Sequence, residues 1–305
     1  MVLLIKYAFL YTVVLMMVAL GGMFSERSGI INIALEGIMV IGGLVGVIAI
    51  QMMDGASALA VVVVSVTAAG LAGMIYAALL AFASINLNAD QTIGGTALNM
   101  LATALAMVVA KGFNGSASAK LDYSNRAFVY EFGPLTVNVF LFIGLVVLVL
   151  SYIVLYKTRL GLRLRACGEH PQAADSVGIN VYKMRYIGVL ISGVLGGIGG
   201  MAYIIPSVSS WNFEVGVSGA GFLALAVMIF GQWKPGRIFF AAMFFALFKS
   251  LANIASSIPA LAALGWTQNM YNMIPFIASM IILAFTSKKS RAPKAEGIPY
   301  DKGSR

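Results

Sequence analysis

The sequence predicts an all-α bundle of membrane-spanning helices. Three observations carry that prediction. Hydrophobic residues make up 60% and charged residues only 10% of the 305 positions, more apolar sequence than a soluble core can absorb. The apolar residues fall into nine runs, each near the roughly 20 residues that cross about 30 Å of hydrocarbon. The basic residues stand between those runs and in the tail, where they orient a chain in a bilayer. A net charge of +9 would suggest nucleic acid in a soluble protein; distributed in this way it implies no nucleic-acid partner, only membrane lipid.

The run at 7–22 follows only Lys6 and has no small-residue cleavage pattern before Ser25, so it reads as a transmembrane helix rather than a signal peptide. The others lie at 30–52, 56–84, 93–110, 137–155, 186–205, 217–231, 238–254 and 268–286. At 29 residues, 56–84 is long for one span, and Gly70 and Gly73 can bend it. It is read as one tilted helix, with ten spans as the variant if it divides. Residues 1–290 then form the membrane domain and 291–305 a basic tail.

Lys157, Arg159, Arg163, Arg165, Lys183 and Arg185 mark one loop as cytoplasmic, and Lys288, Lys289, Arg291 and Lys294 mark the tail likewise. The intervening runs alternate consistently, with Lys234 and Arg237 inside. Counting back puts 111–134 and the N-terminus outside and 86–91 inside. The long polar stretch 111–134 is either a docking surface for a delivery protein or a solvated loop.

Within the cytoplasmic stretch 157–185, Pro171 suits a first helical position and Gly178 a position just past a helix end, which predicts two turns of helix over 171–177. Ala173, Ala174 and Val177 share one face, a small flat apolar patch. Asn180 can cap the helix that follows. Gly193 with Gly197, Gly196 with Gly200, and Gly42 with Gly46 are spaced by four, which lets helices approach closely in lipid.

Asn32 and Glu36 are four apart in an apolar run, hence expected on one helix face. An ionisable group at membrane depth faces a polar path or a partner, so this face either lines a translocation route or clamps two helices. Thr96 and Asn99, with Gln91 near the cytoplasmic mouth, offer a second polar face, and Phe222 an aromatic surface that is either path or core. Glu26 and Arg27 read as an interfacial pair. Lys249 is expected to snorkel, to pair with Glu36 or to meet another subunit.

The single Cys167 excludes an internal disulfide, and no Cys or His cluster has metal-ligand spacing. No G-x-x-x-x-G-K-[ST] loop, HExxH or G-x-S-x-G elbow occurs, so neither ATP binding in that mode nor intramembrane catalysis is expected of this chain. A transporter is the leading class. An ion-coupled carrier with a proton on Glu36 is the alternative, although it leaves 171–178 without a purpose and no inverted repeat is visible. A purely structural membrane subunit is a third.

GLRLRACGEHPQAADSVGIN at 161–180, followed by RYIGVLISGVLGGIGG at 185–200, resembles the cytoplasmic coupling region of bacterial ABC importer permeases of the branched-chain amino acid, ribose and nucleoside superfamily. SERSGIINIALEGIMVIGG at 25–43, ADQTIGGTALNMLA at 89–102 and SGAGFLALAVMIFGQWKPG at 218–236 agree in the same order, and are most similar to the nucleoside branch that works with a lipoprotein. The resemblance implies a type II-like importer permease in the bacterial cytoplasmic membrane. It implies a second, homologous permease chain, a cytoplasmic ABC ATPase and an extracellular substrate-binding lipoprotein, with no cofactor of its own because ATP is used by the partner subunits. It also implies that Gly168, Glu169, Ala173, Ala174, Gly178 and Ile179 form the segment that docks on the ATPase.

Overall fold

The computed structural model describes residues 2–115, 117–132, 135–286 and 291–303. Among the described residues, seven helices are long and apolar enough to cross a membrane: α1 (Val2–Arg27), α2 (Leu35–Met52), α3 (Ala58–Ile85), α4 (Gln91–Asn114), α5 (Val139–Lys157), α8 (Val181–Ile204) and α10 (Pro235–Ile254). Between them stand α6 (Arg159–Glu169), α7 (Pro171–Ser176) and α9 (Ala220–Phe230), and α11 (Pro259–Ala262) and α12 (Gln268–Thr286) follow. The long stretch 58–85 is one uninterrupted helix, as read.

The expectation of nine full-length spans needs correction at 217–231. Only the 11 residues of α9 are helical there, about 16 Å of rise at ~1.5 Å per residue, or half the hydrocarbon thickness. The hydropathy of the run is high because both the short helix and the turn before it are apolar, and apolarity does not distinguish a half-span from a span. The 19 residues of α12 contain Pro275, and α12 is not among the seven.

Helix α8 is the centre, packed against α1, α2 and α3. Its glycines make this possible. A Cβ on Gly42 would stand 2.3 Å from the Cα of Gly197, and one on Gly73 would stand 2.3 Å from the carbonyl oxygen of Gly193. Gly73 therefore serves contact with α8 rather than a bend. In contrast α3, α4 and α5 turn Ile75, Met100, Val108 and Leu145 outward, the arrangement expected of lipid-facing surface in a chain whose own backbone bonds are closed within helices.

Cross-links sort the loops into two ends. At one, Tyr186 donates to the Asn86 side chain, Arg27 to the Trp233 carbonyl at 3.2 Å, and Arg185 to the Ile298 carbonyl at 2.9 Å. At the other, Gln51 donates to the Asp122 carbonyl at 2.6 Å, and Ser250 to the Leu4 carbonyl at 2.9 Å. This is the partition the basic residues predict, although Lys288 and Lys289 lie outside the described residues.

The far end carries strands that an all-α reading omits. Strand β1 (Lys120–Asp122) pairs antiparallel with β4 (Ser210–Asn212), and β2 (Val129–Phe132) with β3 (Leu135–Asn138). Pieces of three or four residues are too short to show a period of two. The stretch 111–134 is held down on the bundle: Leu121 and Phe128 are buried, and the Tyr123 hydroxyl donates to the Ile204 carbonyl at 3.0 Å.

Cysteine placed at Ser118 should react with an impermeant thiol reagent in intact cells, and cysteine at Ser176 only after permeabilisation. Native Cys167 is fully buried and burial pushes its thiol up to about 11, so background labelling should be low even before its removal. The reverse pattern would invert the orientation.

Candidate functional site

The chain leaves the helical path at 28–34, between α1 and α2. Gly29 adopts φ +99, a conformation other residues resist. The Ser25 hydroxyl donates to the Ile30 carbonyl at 2.7 Å and that of Ser28 to the Ser25 carbonyl at 2.6 Å, giving the backbone alternatives to the helix. Unwound backbone inside a bundle must find other partners, and α4 provides them. The Gln91 side-chain oxygen accepts from the Ile31 N–H at 2.7 Å. Asn99 donates to the Ile33 carbonyl at 2.9 Å and accepts from the Gly37 N–H at 2.7 Å.

Asn32 therefore lies in this elbow and not on the helix of Glu36, so the two do not share a helix face. Its amide donates to the Ser192 hydroxyl of α8 at 2.8 Å, while its oxygen is buried with no partner among the described residues. Thr96 also departs from expectation. It is exposed and bonded only to its own helix, while Gln91, Gly95 and Asn99 make the inward face of α4.

Glu36 is in the first turn of α2, and its carboxylate also caps α9. The N–H of Gly219 donates to one oxygen and that of Gly221 to the other, each at 2.7 Å. One carboxylate thus satisfies free amides at the start of the half-helix and sits at the positive ends of two helix dipoles. Gly219 is left-handed at φ +76, and a Cβ on Gly221 would lie 2.5 Å from the Glu36 nitrogen, so glycine is needed for this approach. Phe276 of α12 packs on Gly219, and the ammonium of Lys249 stands 5.9 Å from the centre of its ring. Lys249 is buried, with no carboxylate within 4.0 Å among the described residues. Phe222, on α9, is 44% exposed, open to contact rather than core.

At the end that carries the basic loops, α6 and α7 form a separate helical pair. Thr158 and His170 cap their starts, Gly178 turns left-handed at φ +82 after α7, and the Asn180 side chain caps α8 through the Lys183 N–H at 2.9 Å. The expected apolar patch is divided. Ala174 points inward with Cys167, Val181, Met184 and Tyr300, whereas Ala173 and Val177 are exposed. Gly168 is buried at a crossing where a Cβ would stand 2.3 Å from the Arg27 carbonyl oxygen. Glu169 is exposed and pairs with Arg27 at 3.4 Å, and Ile179 is half-buried. The expected Glu26–Arg27 pair does not form: Glu26 is buried and accepts from the Trp233 indole at 2.5 Å.

The described tail, 291–303, returns across this end as a strap. Ala295 N–H donates to the Gly168 carbonyl at 2.8 Å and Gly297 N–H to that of Gly29 at 3.1 Å. Tyr300 is buried against α7, its ring packed on Tyr182 and under the Arg185 guanidinium. Burial pushes the Glu296 carboxyl above the ordinary carboxylate range, against the pull of nearby Arg27. The aromatic in GIPY, within an otherwise polar tail, was the signal available for this contact.

The family described as branched-chain amino acid transport system / permease component matches residues 4–284. The chain belongs to that family. The nucleoside ABC transporter permease protein NupC of Lactococcus lactis is 38% identical over 307 residues, covering 96% of this chain and 95% of its own. The guanosine ABC transporter permease protein NupQ of Bacillus subtilis is also 38% identical over 307 residues, covering 97% and 95%. A second Lactococcus lactis protein, nucleoside ABC transporter permease protein NupB, is 27% identical over 173 residues, covering 55% and 46%. No solved structure matches the chain. This permease is a multi-pass protein of the cytoplasmic membrane and a transport subunit of an ABC system rather than an enzyme.

Proposed function

We propose that this permease carries nucleosides inward as one of two homologous membrane subunits, driven by ATP hydrolysis on separate ATPase chains and supplied by an extracellular binding lipoprotein. The full-length similarity to permeases named for nucleosides and guanosine carries the substrate assignment. The occurrence of NupB and NupC in one organism supports a pair of unlike permeases. In this reading the chain crosses the membrane nine times in a type II-like arrangement, with α9 and the segment before it together making one crossing.

The geometry supports a mechanism. Helices α6 and α7 are tied through Gly168 and Glu169 to the end of α1, and through the elbow at 28–34 to Glu36 and α9. Displacement of this pair on ATPase closure then reaches the half-helix through packed backbone, and two arrangements of α9 would open the route to either side. Asn32, Asn99 and Phe222 border this region. Asn99 is committed to backbone partners and the Asn32 oxygen is buried, so Phe222 is the group exposed to a nucleoside's ring in this arrangement, and the Asn32 oxygen becomes reachable by a hydroxyl only if the elbow at 28–34 moves. A proton carried on Glu36 would weaken at least one of the two hydrogen bonds from the Gly219 and Gly221 amides in every cycle, and a carrier of that kind leaves the α7 segment without a role, which together disfavour the ion-coupled alternative.

Val177, the residue just past the end of α7, is 74% exposed, and Val177→Glu should leave the bundle folded while abolishing ATPase co-purification and labelled guanosine uptake. Ala174→Glu, by burying a charge against Tyr300, should instead lower the yield of folded protein. Normal ATP-dependent uptake in the Val177→Glu variant would remove α7 from the docking surface. Guanosine uptake unaffected by loss of the ATPase would overturn the ABC reading.

A further inference from the structure

Helices α5 and α10 both pack on α1 but leave a cleft between them, and the cleft changes character along its length. At the cytoplasmic end it is a basic pocket of about 560 Å³, lined by Arg27, Arg165, Lys234 and Arg237 with Tyr156 and Phe240. Further into the membrane it is an apolar groove of about 540 Å³, which begins at Leu148 of α5 with Phe239 and Met243 of α10 and runs on past Leu145 and Leu247 to the far end, where Leu4 and Val137 line it. The two parts are continuous on the helix faces. On α5 the positions 141, 145, 148, 152 and 156, and on α10 the positions 236, 240, 243 and 247, follow the three- and four-residue spacing of one face.

Three of the four charges at the head of the cleft, Arg165, Lys234 and Arg237, have no carboxylate within 4.0 Å among the described residues, and the one acid paired at the rim, Glu169, is bonded to Arg27. Arg165 lies over the Tyr156 ring at 5.1 Å. Helix α10 starts at this pocket with Pro235 in its first turn and no side-chain cap, so its positive end adds to the field. Converging like charges cost free energy unless an anion joins them, and basic pockets between helices on the cytoplasmic side suit lipid head groups.

We propose that this cleft holds one anionic phospholipid of the inner leaflet, its phosphate among Lys234, Arg237 and Arg165 and an acyl chain along α5 and α10. The dimensions agree. From Tyr156 the ~15 Å of one leaflet's hydrocarbon reaches to about position 146 of α5 at ~1.5 Å per residue, so an inner-leaflet chain covers Leu148 and ends at Leu145, and the groove beyond belongs to the outer leaflet. A free phosphate or a soluble phosphomonoester would use only the basic part and leave the apolar groove unfilled. The lipid would also touch the transport machinery, because Arg27 at the floor of the pocket holds Glu169 of α6 and the carbonyl of Trp233 after α9.

The test uses the full chain, reconstituted in nanodiscs of equal phosphatidylglycerol and phosphatidylcholine, re-extracted in mild detergent, with retained lipid measured by mass spectrometry. The wild type should retain phosphatidylglycerol over phosphatidylcholine by roughly tenfold, the effect expected of losing or gaining one to two basic contacts at the surface. Lys234→Gln with Arg237→Gln should abolish the preference, and so should Leu145→Trp, which fills the groove without changing charge. Thermal unfolding in pure phosphatidylcholine should be unchanged in both variants, and Lys157→Gln should behave as wild type. Equal retention of the two lipids by the wild type would overturn the proposal, and this outcome does not depend on any variant folding. So would full displacement of phosphatidylglycerol by inorganic phosphate together with an unchanged preference in Leu145→Trp, which would make the pocket a site for free phosphate.

Discussion

Glu36→Leu is expected to abolish uptake and to lower stability by about 3–5 kcal/mol, because two buried amides lose a charged acceptor worth roughly 1.5–3 kcal/mol each and a helix-dipole contribution of up to ~2 kcal/mol, partly offset by the apolar replacement. The amides are those of Gly219 and Gly221, each 2.7 Å from a carboxylate oxygen. Glu36→Gln keeps one oxygen for one of them and turns an amide NH2 towards the other, so it should fold at a cost of about 1–2 kcal/mol and transport slowly. A thermal melt in detergent and labelled uptake read the two effects separately. Wild-type melting and uptake in Glu36→Leu would mean that the half-helix does not depend on its cap.

Gly197→Leu should prevent formation of the bundle altogether. A Cβ there would lie 2.3 Å from the Ala69 carbonyl oxygen, and Gly42 and Gly73 approach the same turn of α8 from two other helices. The obstructing atoms are backbone, which cannot rotate away as a side chain can, so the cost exceeds the 1–3 kcal/mol typical of overpacking among flexible groups. Gly112, also helical, has nothing within 4 Å of its Cβ position. Gly112→Ala should be neutral or stabilise by about 0.5–1 kcal/mol through the lower entropy cost of helix formation. Size-exclusion profiles of tagged protein from membranes compare the two directly; a monodisperse Gly197→Leu peak at normal yield would contradict the packing.

What was legible in the sequence depended on how many residues shared one signal. The long helices announce themselves through some 20 apolar residues each, and the glycine contacts of α8 through a repeated spacing of four. The α7 turn is legible because Pro171, Gly178 and Asn180 each act locally. Long-range partnerships were not legible. Asn32 and Glu36 look like neighbours on a helix, but Gly29 and two serines unwind the segment that would join them. Glu36 finds its partners 183 and 185 positions away, a pairing with no local trace. Thr96 and Asn99 are three apart, yet only Asn99 turns inward, because the inward face of α4 is set by Gly95 against the elbow. The patch on α7 divides because Tyr300, over a hundred positions later, occupies the Ala174 side.

The strap also sets an order of assembly. Gly29 accepts from Gly297, Gly168 from Ala295, and Arg185 donates to the Ile298 carbonyl, so the elbow and the α6–α8 region stay open until residues 295–298 have emerged from the ribosome. The long helices can insert one after another before that, but the surface offered by α6 and α7 is completed only afterwards. A chain cut short before Ala295 would carry every long helix and still lack this seal, which separates membrane insertion from readiness for assembly.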